Sequence, residues 1–119
     1  MPGASEVYKG GVISYTNEVK QRLLNVKQDI LEQYGAVSAP VAEQMALGAK
    51  NLLNAEFALS VTGLAGPGGD EFGNPVGTVY IGLAWGSCVE SRHFLFSGDR
   101  QKVRQQAVEA ALTFLLEKL

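Results

Sequence analysis

Two residues near the start of the chain, Tyr15 and Lys20, have the types and the spacing to move a proton. They flank Asn17, which reads as the N-cap of a short helix, so Tyr15 ends a strand and Lys20 enters the first helical turn. A cation is disfavoured at that end of a helix because the dipole there is positive, and partial burial would push the Lys20 pKa further down. A lysine in that state can accept a proton from a hydroxyl nucleophile, with a nearby tyrosine to relay or stabilise it. On residue type alone, a solvated Lys20 beside a core Tyr15 weighs more than this acid-base pair.

A second feature is a concentration of glycine. Of fourteen glycines, Gly63, Gly66, Gly68, Gly69, Gly73 and Gly77 fall between positions 63 and 77, directly after a strand-like run that ends at Thr62. Ligands of open α/β sheets tend to bind at such strand ends. The spacing matches neither the dinucleotide fingerprint nor the Walker loop, both of which lead into a helix, whereas the next element here reads as a strand. A connection of this length without secondary structure is uncommon, which leans towards a ligand-lining loop; a structural connection is the competing reading. At Ser97-Gly98-Asp99-Arg100, backbone N–H groups and the Arg100 guanidinium open the last helix and suit a phosphate or carboxylate. An ordinary Asp cap followed by an exposed Arg explains the same residues.

Other reactive types carry less. Asp70 and Glu71 read as a solvated turn pair, Cys88 as a small buried or edge residue, and His93 as a surface or interface residue of a strand. With one cysteine and one histidine in the chain, disulfide scaffolds and zinc fingers are excluded.

The elements that must position these residues follow from periodicity. A strand is expected over 10–16, and the helix capped by Asn17 should bury Leu23 and Leu24. A second helix runs near 29–34 to a Gly35 C-cap, and Ser38 caps a longer one with Val41, Met45, Leu52 and the alanines at 42, 46 and 49 on its apolar face. Strands follow over 56–62, 78–85 and 89–96, the last two joined as a hairpin at Gly86 and Ser87. Asp99 caps a final helix that buries Val103, Ala107, Ala110, Phe114 and Leu115. This order implies a layered α/β domain with a mixed sheet.

Composition agrees with a single domain over 1–119. The chain is 46% hydrophobic and 18% charged, below the usual quarter of charged residues, which excludes disorder for most of its length. Ten Lys and Arg against twelve Asp and Glu leave a net charge of -2 without blocks of either sign, so neither nucleic acid nor an anionic membrane surface is an expected partner. No apolar run approaches the ~20 residues of a membrane span, and the first residues lack a secretory pattern, so the expected compartment is cytoplasmic.

Several segments together resemble one family, the C-terminal domain of the competence/damage-inducible protein CinA, which includes nicotinamide-nucleotide amidases. They are Pro2-Gly-Ala-Ser5, Gly10-Gly-Val-Ile-Ser-Tyr-Thr-Asn-Glu-Val-Lys20, Gly35-Ala-Val-Ser38, Ser60-Val-Thr-Gly-Leu-Ala-Gly-Pro-Gly-Gly69, Pro75-Val-Gly-Thr-Val-Tyr80 and Ser97-Gly-Asp-Arg100. The resemblance implies a three-layer α/β/α sandwich. It also implies hydrolysis of nicotinamide mononucleotide to nicotinic acid mononucleotide and ammonia, without a metal or cofactor. Tyr15 and Lys20 match the family's catalytic pair, Thr62 and Gly63 its substrate-side residues, and Arg100 its substrate-contacting arginine. In the family, a strand and helix with Glu-Ser-Cys-Thr-Gly-Gly precede the segment matching Pro2-Gly3 and supply the nucleophilic Ser; these 119 residues do not contain that motif. Ser14, Ser60 and Ser97 match other family positions. The expectation is therefore a domain without its first βα unit, inactive or nearly so by itself, from a shortened record or a silent nucleotide-binding relative. The uncovered sheet surface implies a homo-oligomer.

Overall fold

The structure, a computed structural model, describes residues 10–14, 16–64 and 68–119. Its elements are α1 (Asn17–Leu24), α2 (Gln28–Tyr34), α3 (Ala39–Leu53), β1 (Phe57–Gly63), β2 (Thr78–Trp85), β3 (Cys88–Leu95) and α4 (Arg100–Lys118). No helix among the described residues is long and apolar enough to cross a membrane.

The apolar run of β2 makes it the central strand, since it can be buried on both faces. It pairs antiparallel with β1, from Phe57 opposite Trp85 to Gly63 opposite Val79, and with β3, from Thr78 opposite Leu95 to Trp85 opposite Cys88. Alternation then sends its side chains to two different layers. Val79, Ile81 and Leu83 point to α4, where Val103, Ala107, Ala111 and the fully buried Phe114 complete the main core. Arg92 lies over the Phe114 ring, 4.0 Å from its centroid, and pairs with Glu117 at 2.5 Å, closing the edge of that layer.

On the other face, the Ser60 hydroxyl donates to the Ala42 carbonyl at 2.5 Å and the Ser91 hydroxyl donates to Glu43 Oε2 at 2.6 Å, fastening α3 to β1 and β3. A second core joins Leu24, Val26 and Leu31 to Val41 and Met45, so α1 and α2 pack beside α3. Gly48 makes this possible. A Cβ at that position would run into the Leu24 carbonyl, where α1 meets α3 most closely.

Helices on both faces of the sheet give the α/β/α layering. The sheet itself differs from the mixed one expected: both strand pairs among the described residues are antiparallel, because each link between consecutive strands returns the chain beside the strand it has left. Residues 10–14 form no strand. Among the described residues they have no ladder partner; Val12 packs against the second core instead, and the Ser14 carbonyl accepts from the Lys20 ammonium. The cap of α1 is Thr16, whose hydroxyl accepts from Val19 N–H, and Asn17 is already helical. Leu23 and Leu52 are each about half-exposed: Leu23 points about 100° from Leu24, whose face α3 takes, and Leu52 lies in the last turn of α3, beyond the stretch from Val41 to Gly48 that is buried.

Candidate functional site

Lys20 lies four residues before Leu24 on α1, so both occupy the face that turns inward. The packing that buries Leu24 therefore buries Lys20 too, leaving it 6% exposed. Its ammonium donates to the Ser14 carbonyl at 2.6 Å, and burial holds its pKa below the ordinary lysine value. Lys20 thus follows the buried reading of the sequence and not the solvated one. Tyr15 lies outside the described residues.

Thr62 and Gly63 finish β1 at the end of the sheet where β2 begins. Thr62 is buried, and its hydroxyl donates to the Ala36 carbonyl at 2.7 Å. A Cβ at Gly63 would meet Val79 Cγ2 at 2.8 Å and the Thr78 carbonyl at 2.9 Å, so a side chain there would push β1 off β2. The loop after β1 returns over the same corner: Leu64 N–H donates to the Thr78 carbonyl and Gly77 N–H to the Leu64 carbonyl.

The turn between α2 and α3 receives ties from three sides. The Gly35 carbonyl accepts from the Ser38 hydroxyl at 2.8 Å, the Ala36 carbonyl from Thr62, and the Val37 carbonyl from Asn74 Nδ2 at 3.1 Å. Asp70 organises the loop around Asn74, accepting from Phe72 N–H, Asn74 N–H and Asn74 Nδ2. Partial desolvation raises the Asp70 pKa, but these hydrogen bonds from Asn74 and Phe72 outweigh it and hold the carboxyl below its ordinary value. Asp70 is therefore an anchor of the loop, more than the solvated turn residue expected; Glu71 is exposed. Sequence reasoning missed Asn74 and the 35–37 turn as positioning groups. Asn inside a glycine loop was the available signal, but its partner lies 37 residues away.

Arg100 is the first residue of α4 and is exposed. It follows β3, whose Leu95 pairs with Thr78, and Phe96 N–H donates to the Gly77 carbonyl. Arg100 and Gly63 thus belong to the same end of the sheet. Asp99 caps α4 as expected, its carboxylate accepting from Lys102 N–H at 2.9 Å. Lys20 is tied through the Ser14 carbonyl to a groove of about 1310 Å³ that runs beside β1, an edge strand among the described residues, and is walled by residues 10–14 and the C-terminal part of α4. Cys88 is exposed at the β2–β3 turn, and His93 stacks on Tyr80 with ring centroids 4.6 Å apart; neither approaches a nucleophile-base arrangement.

The layered α/β domain, with a buried lysine at the start of one helix and a glycine-rich loop at a strand end, has a counterpart among known families. The model of the CinA C-terminal domain matches residues 1–119, and the chain belongs to that family. A CinA-like protein of Thermosynechococcus vestitus is 50% identical over 122 residues, which cover 100% of this chain and 29% of the relative. The chain therefore spans less than a third of that relative's length. The crystal structure of a competence or damage-inducible protein from Enterobacter asburiae is 33% identical with a TM-score of 0.95, covering 99% of this chain and 74% of that one. One from Agrobacterium tumefaciens is 36% identical with a TM-score of 0.92, covering 98% and 72%.

Proposed function

We propose that this chain is part of an amidohydrolase that converts nicotinamide mononucleotide and water to nicotinic acid mononucleotide and ammonia. The observation that carries the reading is Lys20: a buried lysine, oriented by the Ser14 carbonyl, with its pKa lowered by burial. An amine in that condition can exchange a proton with a hydroxyl at a pH where an exposed lysine stays charged.

In this reading Lys20 deprotonates a serine hydroxyl, Tyr15 stabilises the transfer, and the serine oxygen attacks the carboxamide carbon. Ammonia leaves with the proton returned by the base, and water then releases the acid from the acyl-enzyme. Thr62 and Gly63 border the substrate, and Arg100 reaches its phosphate. The serine is that of the Glu-Ser-Cys-Thr-Gly-Gly motif, which these 119 residues do not contain.

Ammonia release from nicotinamide mononucleotide tests this. The 119-residue protein is expected to release little or none. A chain preceded by a relative's segment with the serine motif is expected to turn over, and Lys20→Met to lower that rate by about two orders of magnitude or more. Full turnover by the Lys20→Met form would remove the proposal.

A second reading, a silent nucleotide-binding or oligomer-forming chain, is favoured by the open groove beside β1. Titration with nicotinamide mononucleotide, adenosine diphosphate ribose and phosphate separates the two, because the amidase reading requires the first to bind best.

A further inference from the structure

The tip of the glycine-rich loop, residues 70–74, is built as a unit of its own. Asp70 is its hub: Oδ1 accepts from Phe72 N–H at 3.1 Å and Asn74 N–H at 2.9 Å, and Oδ2 accepts from Asn74 Nδ2 at 2.8 Å. Gly73, at φ +83°, supplies the left-handed step that folds Asn74 back onto Asp70. Among the described residues, the tip's hydrogen bonds run within itself or to the turn between α2 and α3, and none runs to the sheet.

Two contacts hold the tip against that turn. The Asn74 amide donates to the Val37 carbonyl, and the Phe72 ring lies over Gly35 so closely that a Cβ there would come within 2.6 Å of Cδ2 and 2.8 Å of Cε2. Both contacts are modest. The ring remains 43% exposed and the amide is only partly buried, so the tip can lift from the turn while β1 and β2 stay paired. The base of the loop is fixed separately, by the Leu64 and Gly77 bonds and by the Thr78 hydroxyl, which donates to the Pro75 carbonyl.

We propose that residues 70–74 are a clasp that opens and closes at the Thr62–Gly63 corner, with Phe72 as the positioning residue that latches it. The place of the latch carries this. The Ala36 carbonyl, which accepts from the Thr62 hydroxyl, lies between Gly35 under the ring and Val37 under the amide. The tip thus grips the turn on both sides of the one group that orients Thr62. A closed clasp fixes that turn and sets Thr62; an open one frees the corner for a ligand to enter. That the ligand is nicotinamide mononucleotide rests on the amidase reading, whereas the clasp itself does not.

Hydrogen exchange on the 119-residue chain tests the clasp without any ligand. The Asn74 amide is expected to exchange well ahead of the Ile81 and Leu83 amides of β2. Phe72→Ala should speed Asn74 about five- to ten-fold and leave Ile81 and Leu83 unchanged, because only part of one aromatic side chain is uncovered. Phe72→Leu, which keeps an apolar group over Gly35, should stay near the parent. Exchange of Asn74 in step with Ile81, or an Asn74 amide indifferent to Phe72→Ala, would overturn the clasp. In a chain preceded by a relative's segment with the serine motif, Phe72→Ala should raise KM for nicotinamide mononucleotide several-fold with kcat little changed, a split that lost folding stability would not produce. A fall in kcat at unchanged KM would overturn the positioning role of Phe72. Absence of turnover in the parent would instead remove the amidase reading, with the exchange result still deciding the clasp.

Discussion

Lys20 and Thr62 are both buried polar residues tied to a backbone carbonyl, yet their energetics differ in kind. For Lys20 the question is charge. Below its lowered folded value the lysine is protonated in both states and the folded chain bears the full cost of burial. Between that value and the ordinary 10.5 the unfolded chain binds the proton and the folded chain does not, so stability rises with pH across this window. Urea titrations from neutral to alkaline pH should therefore show the parent gaining on Lys20→Met as pH climbs towards 10.5. Parallel curves would mean that Lys20 is not desolvated. For Thr62 the question is an orphaned acceptor. Thr62→Val keeps the shape and strands the Ala36 carbonyl, at a cost of about 1–3 kcal/mol. Asn74→Ala, in a partly exposed place where water can replace the amide at Val37, should cost less, about 1 kcal/mol. Chemical denaturation of the two variants checks that order.

At the scale of elements, close approach sets the constraints. Gly48 lets the end of α1 rest against α3, and Gly48→Ala would drive a methyl into the Leu24 carbonyl. Overpacking of this kind costs about 1–3 kcal/mol, whereas glycine to alanine in an exposed helix gains up to about 1 kcal/mol. A destabilised Gly48→Ala variant in thermal unfolding would show the contact winning over propensity; a stabilised one would show that α1 can move away at no cost. The same distinction explains which elements were legible in the sequence. The hairpin, α3, α4 and the caps at Ser38 and Asp99 depend on local pattern, and each lies within a residue or so of its expected place. The strand over 10–16 depended on a pairing partner, and among the described residues 10–14 have none. Thr16 displaced Asn17 as a cap by the choice between neighbouring residues that both suit the role. Ser38 sits at its cap position but gives its hydroxyl to the Gly35 carbonyl, a local turn bond that competes with capping. At the candidate site, the oddity of a lysine at a helix start was readable, whereas the joining of Thr62 and Asn74 to the 35–37 turn was not, because it spans 26 and 37 residues of sequence.

For the molecule as a whole, α4 carries the main core on one side and exposed apolar residues on another. Phe114 is fully buried at the centre of the main core, and Phe114→Ala should cost about 3–5 kcal/mol through lost transfer energy and the cavity left behind. Against a total of about 5–15 kcal/mol for a domain of this size, that loss brings the chain close to unfolding. The Arg92 side chain, which rests on the Phe114 ring, would lose its support at the same time. Leu112, two residues earlier, is 53% exposed and contributes little to its own fold, so Leu112→Lys should change the unfolding free energy by no more than about 0.5 kcal/mol. In chemical denaturation the pair should separate cleanly: a large loss for Phe114→Ala and almost none for Leu112→Lys. A Leu112→Lys loss comparable to that of Phe114→Ala would mean that Leu112 belongs to the core that Phe114 centres.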